Sequence, residues 1–163
     1  MRLQIRAQAA AWVNNGALAL SKDGDYLFAV NPASNDVSVF FAVKKLGQLT
    51  LLDHADNQGL TPVSVTVDHI RVYVVNAGDD CIFGYKFNRK LGKLEPLPLS
   101  YKRLSSTRTG LAQISFDNEG ENLVVTEKAT NKITTFNLDD ENTPSDGVSF
   151  ASAGVTPFGF MFK

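Results

Sequence analysis

The chain has 163 residues, 44% of them hydrophobic and 20% charged, with 16 Lys+Arg against 17 Asp+Glu for a formal net charge of −1. Such a length suits about one domain, and so apolar a chain can offset its ordering entropy, which excludes disorder. No apolar stretch approaches the ~20 residues of a membrane span, and the balanced charge argues against a nucleic-acid partner. The small basic clusters Lys44-Lys45 and Arg89-Lys90 have the character of solvated turns. A single cysteine, Cys81, excludes an internal disulfide and a Cys-cluster metal site. Residues 1–10 hold Arg2 and Arg6 with no apolar stretch behind them, so no secretory signal is expected and the cytoplasm is the expected location.

In chain order, the first predicted strand covers 16–20, followed by a tight turn at Ser21-Lys22-Asp23-Gly24, residues that tolerate positive φ. A second strand covers 26–31 and a Pro32-Ala33-Ser34-Asn35 turn leads to a third over 37–43. After Lys45-Leu46-Gly47 a fourth strand covers 49–53. β-branched and aromatic residues fill the runs, and Gly, Pro, Asn and Asp fill the gaps. The pattern then returns. Val30-Asn31 recurs as Val75-Asn76, and Gly47-Gln48-Leu49 as Gly92-Lys93-Leu94, both 45 residues later. Val37-Ser38-Val39-Phe40 is matched by Ile82-Phe83-Gly84-Tyr85 and again by Ile133-Thr134-Thr135-Phe136, while Thr61-Pro62 reappears as Thr156-Pro157. Asp117-Asn118-Glu119-Gly120 is the third unit's version of the Asp-Gly turn. No segment keeps a 3.6-residue period, so essentially no helix is expected.

The second strand of each unit carries a further signal. Tyr26-Leu27-Phe28-Ala29-Val30 and Val72-Tyr73-Val74-Val75 are apolar at consecutive positions, so both faces of that strand are to be buried. Sheets of four short strands, stacked on neighbours on both sides, make a β-propeller. A two-sheet sandwich is the alternative, and it would leave more strands alternating polar with apolar. The fold class expected is therefore all-β, a partial propeller of about three four-stranded antiparallel blades. The predicted blades are 16–62, 63–110 and 111–157, with 158–163 as the first strand of a further blade and 3–8 as the last strand of a preceding one.

The run Gly16-Ala17-Leu18-Ala19-Leu20-Ser21-Lys22-Asp23-Gly24, with Val72-Tyr73-Val74-Val75-Asn76-Ala77-Gly78, Thr126-Glu127-Lys128 and Pro157-Phe158-Gly159-Phe160, resembles the lactonase family of seven-bladed propellers. That family is similar to bacterial 6-phosphogluconolactonase and fungal carboxymuconate-lactonizing enzyme. The resemblance covers residues 16–162. Seven blades would need about 315 residues, so it is to the N-terminal half of the family only. It implies a half-propeller: a fragment, a truncated product, or a subunit that self-associates through its open, apolar ends. The activity implied is hydrolysis or formation of a lactone of an acidic sugar or organic acid, without a cofactor. The alternative is a non-catalytic module acting, if at all, in protein association, because activity does not travel with a fold.

In this strand order, the loop after each second strand and the loop into the next unit share one rim. Asn31, Asn76 and Glu127 then hold equivalent positions in three successive blades, and Glu127 is the one acid among them. It is the candidate general acid or base; the other account is that all three cap the following turn. The loop 100–109 is longer than its counterparts and carries Lys102, Arg103 and Arg108. Arg103 or Arg108 is suited to clamp a carboxylate or phosphate, unless the loop is merely solvated. Gln113, on the innermost strand that follows, is the last candidate for substrate binding. His54 and His69 are not paired at ligand spacing, so no zinc site is expected. Cys81, beside Asp79-Asp80, is expected to be inert packing.

Overall fold

A computed structural model describes residues 16–43 and 45–162. The predicted strand at 3–8 lies outside the described residues. Among the described residues thirteen strands run in chain order: β1 Leu18–Leu20, β2 Tyr26–Asn31, β3 Asp36–Val43, β4 Gln48–Asp56, β5 Pro62–Asp68, β6 Arg71–Asn76, β7 Cys81–Asn88, β8 Lys93–Pro96, β9 Lys102–Arg103, β10 Leu111–Phe116, β11 Asn122–Glu127, β12 Lys132–Asn137 and β13 Val148–Ala151. They form three antiparallel sheets, β1-β2-β3-β4, β5-β6-β7-β8 and β10-β11-β12-β13, with β9 also pairing with β7. The described residues contain no helix, and none therefore is long and apolar enough to cross a membrane. These are three consecutive propeller blades in an unclosed arrangement. Part of the long loop expected at 100–109 is thus strand β9, which makes the middle blade five-stranded.

The core lies between the blades. One cluster joins Phe28, Val30, Val37 and Val39 of the first blade to Val65, Val72, Val74, Phe83 and Tyr85 of the second. The other joins Tyr73, Val75 and Ile82 of the second blade to Ile114, Phe116, Leu123, Val125 and Phe136 of the third. Strand β6 therefore feeds alternate side chains into both clusters, and Val72 to Val75 are all fully buried. That is the physical basis of its unbroken apolar run. A blade with one neighbour among the described residues shows the contrast: on the other face of the first blade, Leu18 and Leu20 are more than half exposed.

Near the axis the blades are joined by a polar ladder. Val65 N donates to Gly16 O at 2.7 Å, and Ile114 N and Phe116 N donate to Ser64 Oγ and Thr66 Oγ1 at 3.2 and 3.4 Å. The Gln113 side chain donates to Phe160 O at 2.9 Å and accepts from Phe160 N at 3.0 Å. Residues 157–162 have no strand pairing, but Gln113 and Thr126, whose hydroxyl donates to Phe158 O at 2.7 Å, hold them against the third blade. A second repeated device ties each blade to the linker that follows it. Asn35, Asp80 and Asn131 each sit four residues after the end of the second strand, all with φ between 50° and 57°. Asn and Asp tolerate this left-handed geometry better than other non-glycine residues. Asn35 Oδ1 accepts Thr61 N at 2.6 Å and Asn131 Oδ1 accepts Thr156 N at 2.7 Å.

Candidate functional site

Asn31, Asn76 and Glu127 are the last residues of β2, β6 and β11, each paired with the first residue of the next strand. Their surroundings differ. Asn31 Nδ2 donates to Asp36 Oδ1 at 2.5 Å and to Ser38 Oγ at 2.8 Å, within its own blade. Asn76, fully buried, accepts from Asn57 Nδ2 at 2.5 Å and donates to Cys81 Sγ at 3.4 Å. Glu127 is fully buried as well. Its Oε1 accepts from Thr134 Oγ1 at 2.5 Å and Ser105 N at 3.3 Å; its Oε2 accepts from Thr130 Oγ1 at 2.7 Å and from the Ser105 hydroxyl. Four donors, from its own blade and a linker, thus satisfy the carboxylate.

The linker that supplies Ser105 is held by a second buried acid. Asp80 Oδ2 accepts Arg108 N at 2.7 Å, and its Oδ1 accepts Thr109 N at 2.9 Å and the Thr109 hydroxyl. Asp80 O also accepts Leu104 N at 2.9 Å. So Glu127, from the blade ahead, and Asp80, from the blade behind, converge on one loop. Both stand where the neighbouring repeats carry Asn. Arg103 and Arg108 are exposed on this loop. Arg103 Nη1 donates to Asp79 O at 3.4 Å and its guanidinium lies 5.8 Å from the Tyr101 ring centre. Arg108 has φ of 59° and its side chain makes no hydrogen bond or ion pair among the described residues. Lys128, next to Glu127, sits half-buried with its Nζ 5.2 Å from the Phe158 ring centre, and burial lowers its proton affinity.

The structure therefore gathers Glu127, Arg103 and Arg108 around one linker. Gln113 is turned to Phe160 and Asn31 serves its own blade. Asp80, Ser105, Thr134 and Lys128 escaped the sequence reading. Aligning the repeats four residues past the rim position would have found Asp80, as the acid between two asparagines. Cys81 is fully buried, and burial first, with the Asp79 carboxylate adding, pushes its thiol up to about 12. His69 lies in the exposed turn on the opposite rim, 3.7 Å from Asp68. Among the described residues no cluster of His, Cys, Asp and Glu could hold a metal ion.

The opposite rim is built differently. A cleft of about 290 Å³ there is lined by Arg71, Glu119, Glu121, Asp139 and Asp140, and a neighbouring one of about 190 Å³ shares Arg71. The Arg71 guanidinium is spent on Asp68, on Gly120 O at 2.8 Å and on Asn142 Oδ1 at 3.4 Å, and it stacks over Phe116. With its cation engaged and acids around it, that cleft is unsuited to an anion.

Residues 3–102 match the family described as Lactonase, 7-bladed beta-propeller. The chain belongs to this family. No curated protein matches it. Among solved structures it is similar to the periplasmic gluconolactonase of Pseudomonas aeruginosa, with 17% identity and a TM-score of 0.71, covering 87% of this chain and 40% of that one. A proposed 6-phosphogluconolactonase from Bacteroides uniformis has 20% identity and a TM-score of 0.67, with coverage of 87% and 43%. Hydrazine synthase from Kuenenia stuttgartiensis has 16% identity and a TM-score of 0.64, with coverage of 96% and 41%. This lactonase-family chain thus spans about two-fifths of the length of these structures. Their likeness is one of fold, shared by proteins whose names imply unrelated chemistry.

Proposed function

We propose that this chain contributes the rim of a lactone-processing propeller, and that the rim bearing Glu127, Arg103 and Arg108 takes a sugar or organic-acid lactone that carries a carboxylate or phosphate. The observation that supports this reading most directly is the convergence of two buried carboxylates on one linker that exposes two arginines. Guanidinium groups recognise such anions bidentately. In lactone hydrolysis, water adds to the ester carbonyl, negative charge gathers on its oxygen, and the ring oxygen leaves with a proton. An arginine stabilises the developing charge and a carboxylate relays the proton. Glu127 is the candidate for the relay; Asn31, Asn76 and Gln113, offered by their repeat positions as polar contacts, have their amides engaged within the protein. The proposal uses no cofactor and places the activity in the cytoplasm, in keeping with a free, buried thiol.

The complete burial of Glu127 favours a second reading, in which its carboxylate braces the linker and the rim binds an acidic ligand without turning it over. Acid release from glucono-1,5-lactone and its 6-phosphate, followed in a pH-stat at neutral pH, separates the two. On the first reading the chain exceeds spontaneous hydrolysis, and Glu127→Gln loses at least about 100-fold of that excess. If the chain does not exceed the spontaneous rate, the catalytic reading fails. Equilibrium dialysis against 6-phosphogluconate then decides the binding reading, which fails if the chain binds none or if Arg108→Ala binds equally well.

A further inference from the structure

The turn after the second strand changes character in the third blade. Pro32 follows Asn31 and Ala77 follows Asn76, and Ala77 packs against the core cluster shared by the second and third blades. Lys128, which follows Glu127, puts a charge at that repeat position. It is half-buried; its ammonium lies 5.2 Å from the Phe158 ring centre and makes no ion pair among the described residues. Arg71 and Lys102, withdrawn from water to a similar degree, each reach a carboxylate, Asp68 and Asp146. Glu127, the acid beside Lys128 in the chain, turns instead to Ser105, Thr130 and Thr134. An aromatic face attracts an ammonium without neutralising it. The desolvation of Lys128, which lowers its proton affinity, is therefore not offset by an opposite charge.

We infer that Lys128 is a specificity-determining residue of the rim, its ammonium contacting the carboxylate or phosphate group of the bound ligand. Its turn lies against the linker that carries Arg108: Lys128 N donates to Gly110 O at 3.1 Å and Ala129 N to Thr109 O at 2.9 Å. Two cations without a counter-ion among the described residues thus come from adjoining backbone segments, Arg108 exposed and Lys128 half-buried. Water competes less for a partly desolvated ammonium than for an exposed one, so an anion that reaches it is held more strongly. A stem that merely covered Phe158 would need no charge at its end, and methionine would serve as well. The ligand class, a small carboxylate or phosphate, rests on the proposed function, and 6-phosphogluconate is the probe.

Trace acetylation with acetic anhydride, read lysine by lysine in a mass spectrometer, tests this on the native chain. Saturating 6-phosphogluconate is expected to slow acetylation of Lys128 at least about fivefold and to leave Lys22, exposed on the opposite rim, unchanged. Lys128→Met keeps an apolar stem on Phe158 and removes the charge. It is expected to weaken 6-phosphogluconate binding about tenfold, the worth of one charge-assisted hydrogen bond, while Lys22→Met changes it less than about twofold. Unchanged affinity in Lys128→Met, or equal protection of the two lysines, overturns the inference. If the native chain binds no 6-phosphogluconate in dialysis, the functional reading falls by itself. Acetylation in inorganic phosphate and in acetate then decides for Lys128: selective protection by either anion supports the inference, and protection by neither overturns it.

Discussion

Thr134→Val removes one donor from a fully buried carboxylate and changes little else. Thr134 is itself completely buried; its hydroxyl donates to Glu127 Oε1 at 2.5 Å and shares a second bond, 2.8 Å, with Ser149 Oγ. Valine fills nearly the same volume, so the cost of an empty cavity is absent. Ser149 lies on the exposed edge strand and regains water. The loss is then the bond to Glu127, whose Oε1 keeps only Ser105 N at 3.3 Å. A hydrogen bond to a charged group contributes about 1.5–3 kcal/mol, so a destabilisation of about 2 kcal/mol is expected. With a urea slope of about 2 kcal/mol/M for a chain this size, that is a midpoint shift of about 1 M. In a Glu127→Gln background the same substitution acts on a neutral acceptor and is expected to cost about 1 kcal/mol. Urea unfolding of the four proteins closes the cycle. A Thr134→Val midpoint within about 0.2 M of the native one, or equal costs in both backgrounds, refutes the argument that this hydroxyl holds the Glu127 carboxylate.

Three further outcomes are expected. A Cβ at Gly84 would lie 2.6 Å from Cε1 of the buried Tyr73, whose hydroxyl donates to Asn142 O, so Gly84→Ala is expected to cost about 2–4 kcal/mol in urea unfolding. The Cys81 thiol, held near 12 in the fold against an ordinary 9.0, keeps its proton where the unfolded chain has lost it. Its contribution is thus present below pH 9 and lost as pH rises from there towards 12, and in the native protein iodoacetamide at pH 8 is expected to leave Cys81 unmodified. Arg89 pairs with Asp23 and stacks over Tyr26 at 4.7 Å, all at the surface, so Arg89→Ala is expected to lower the thermal midpoint only slightly, and less in high salt, read by thermal unfolding at two ionic strengths.

The sequence carried the architecture because a propeller writes its period into one chain. Val30-Asn31 and Val75-Asn76 mark the same strand end in successive blades, and the consecutive apolar run of β6 anticipates the two clusters it feeds. The strand β9 was hidden: it has two residues, and its pairing with Cys81 and Ile82 depends on a linker that doubles back across the middle blade. The acid at Glu127 was legible as a departure from the repeat. Its burial was not, since the cover comes from Ser105 and Thr130, and side-chain partners across a linker leave no periodic trace. Asp80 shows the same limit from the other side. Its acid neighbour Asp79 and the nearby thiol are what the sequence displays at this point, while the property that matters is the left-handed turn shared with Asn35 and Asn131.

The distribution of burial says where such a fold keeps its stability. Val65, Val72, Val74 and Tyr85 of the middle blade occupy the positions that Leu18, Leu27, Ala29 and Phe40 hold in the first, by the pairing registers of both sheets. The four in the middle blade are 0–3% exposed, whereas Leu18 is 60% exposed and the other three are half-buried. The side chains are of the same apolar kind, so the difference is the neighbour and not the residue. Apolar burial contributes roughly 25 cal/mol per Å² wherever it occurs, so stabilisation accrues at the two seams between blades and little within a lone sheet. Amide exchange is therefore expected to be slowest in β6 and β7 and faster in β1 and β13, whose sheets each pack on a single neighbouring sheet among the described residues. Uniform protection across the three blades would mean that each blade holds itself together, and would leave the consecutive apolar run of β6 without its physical cause.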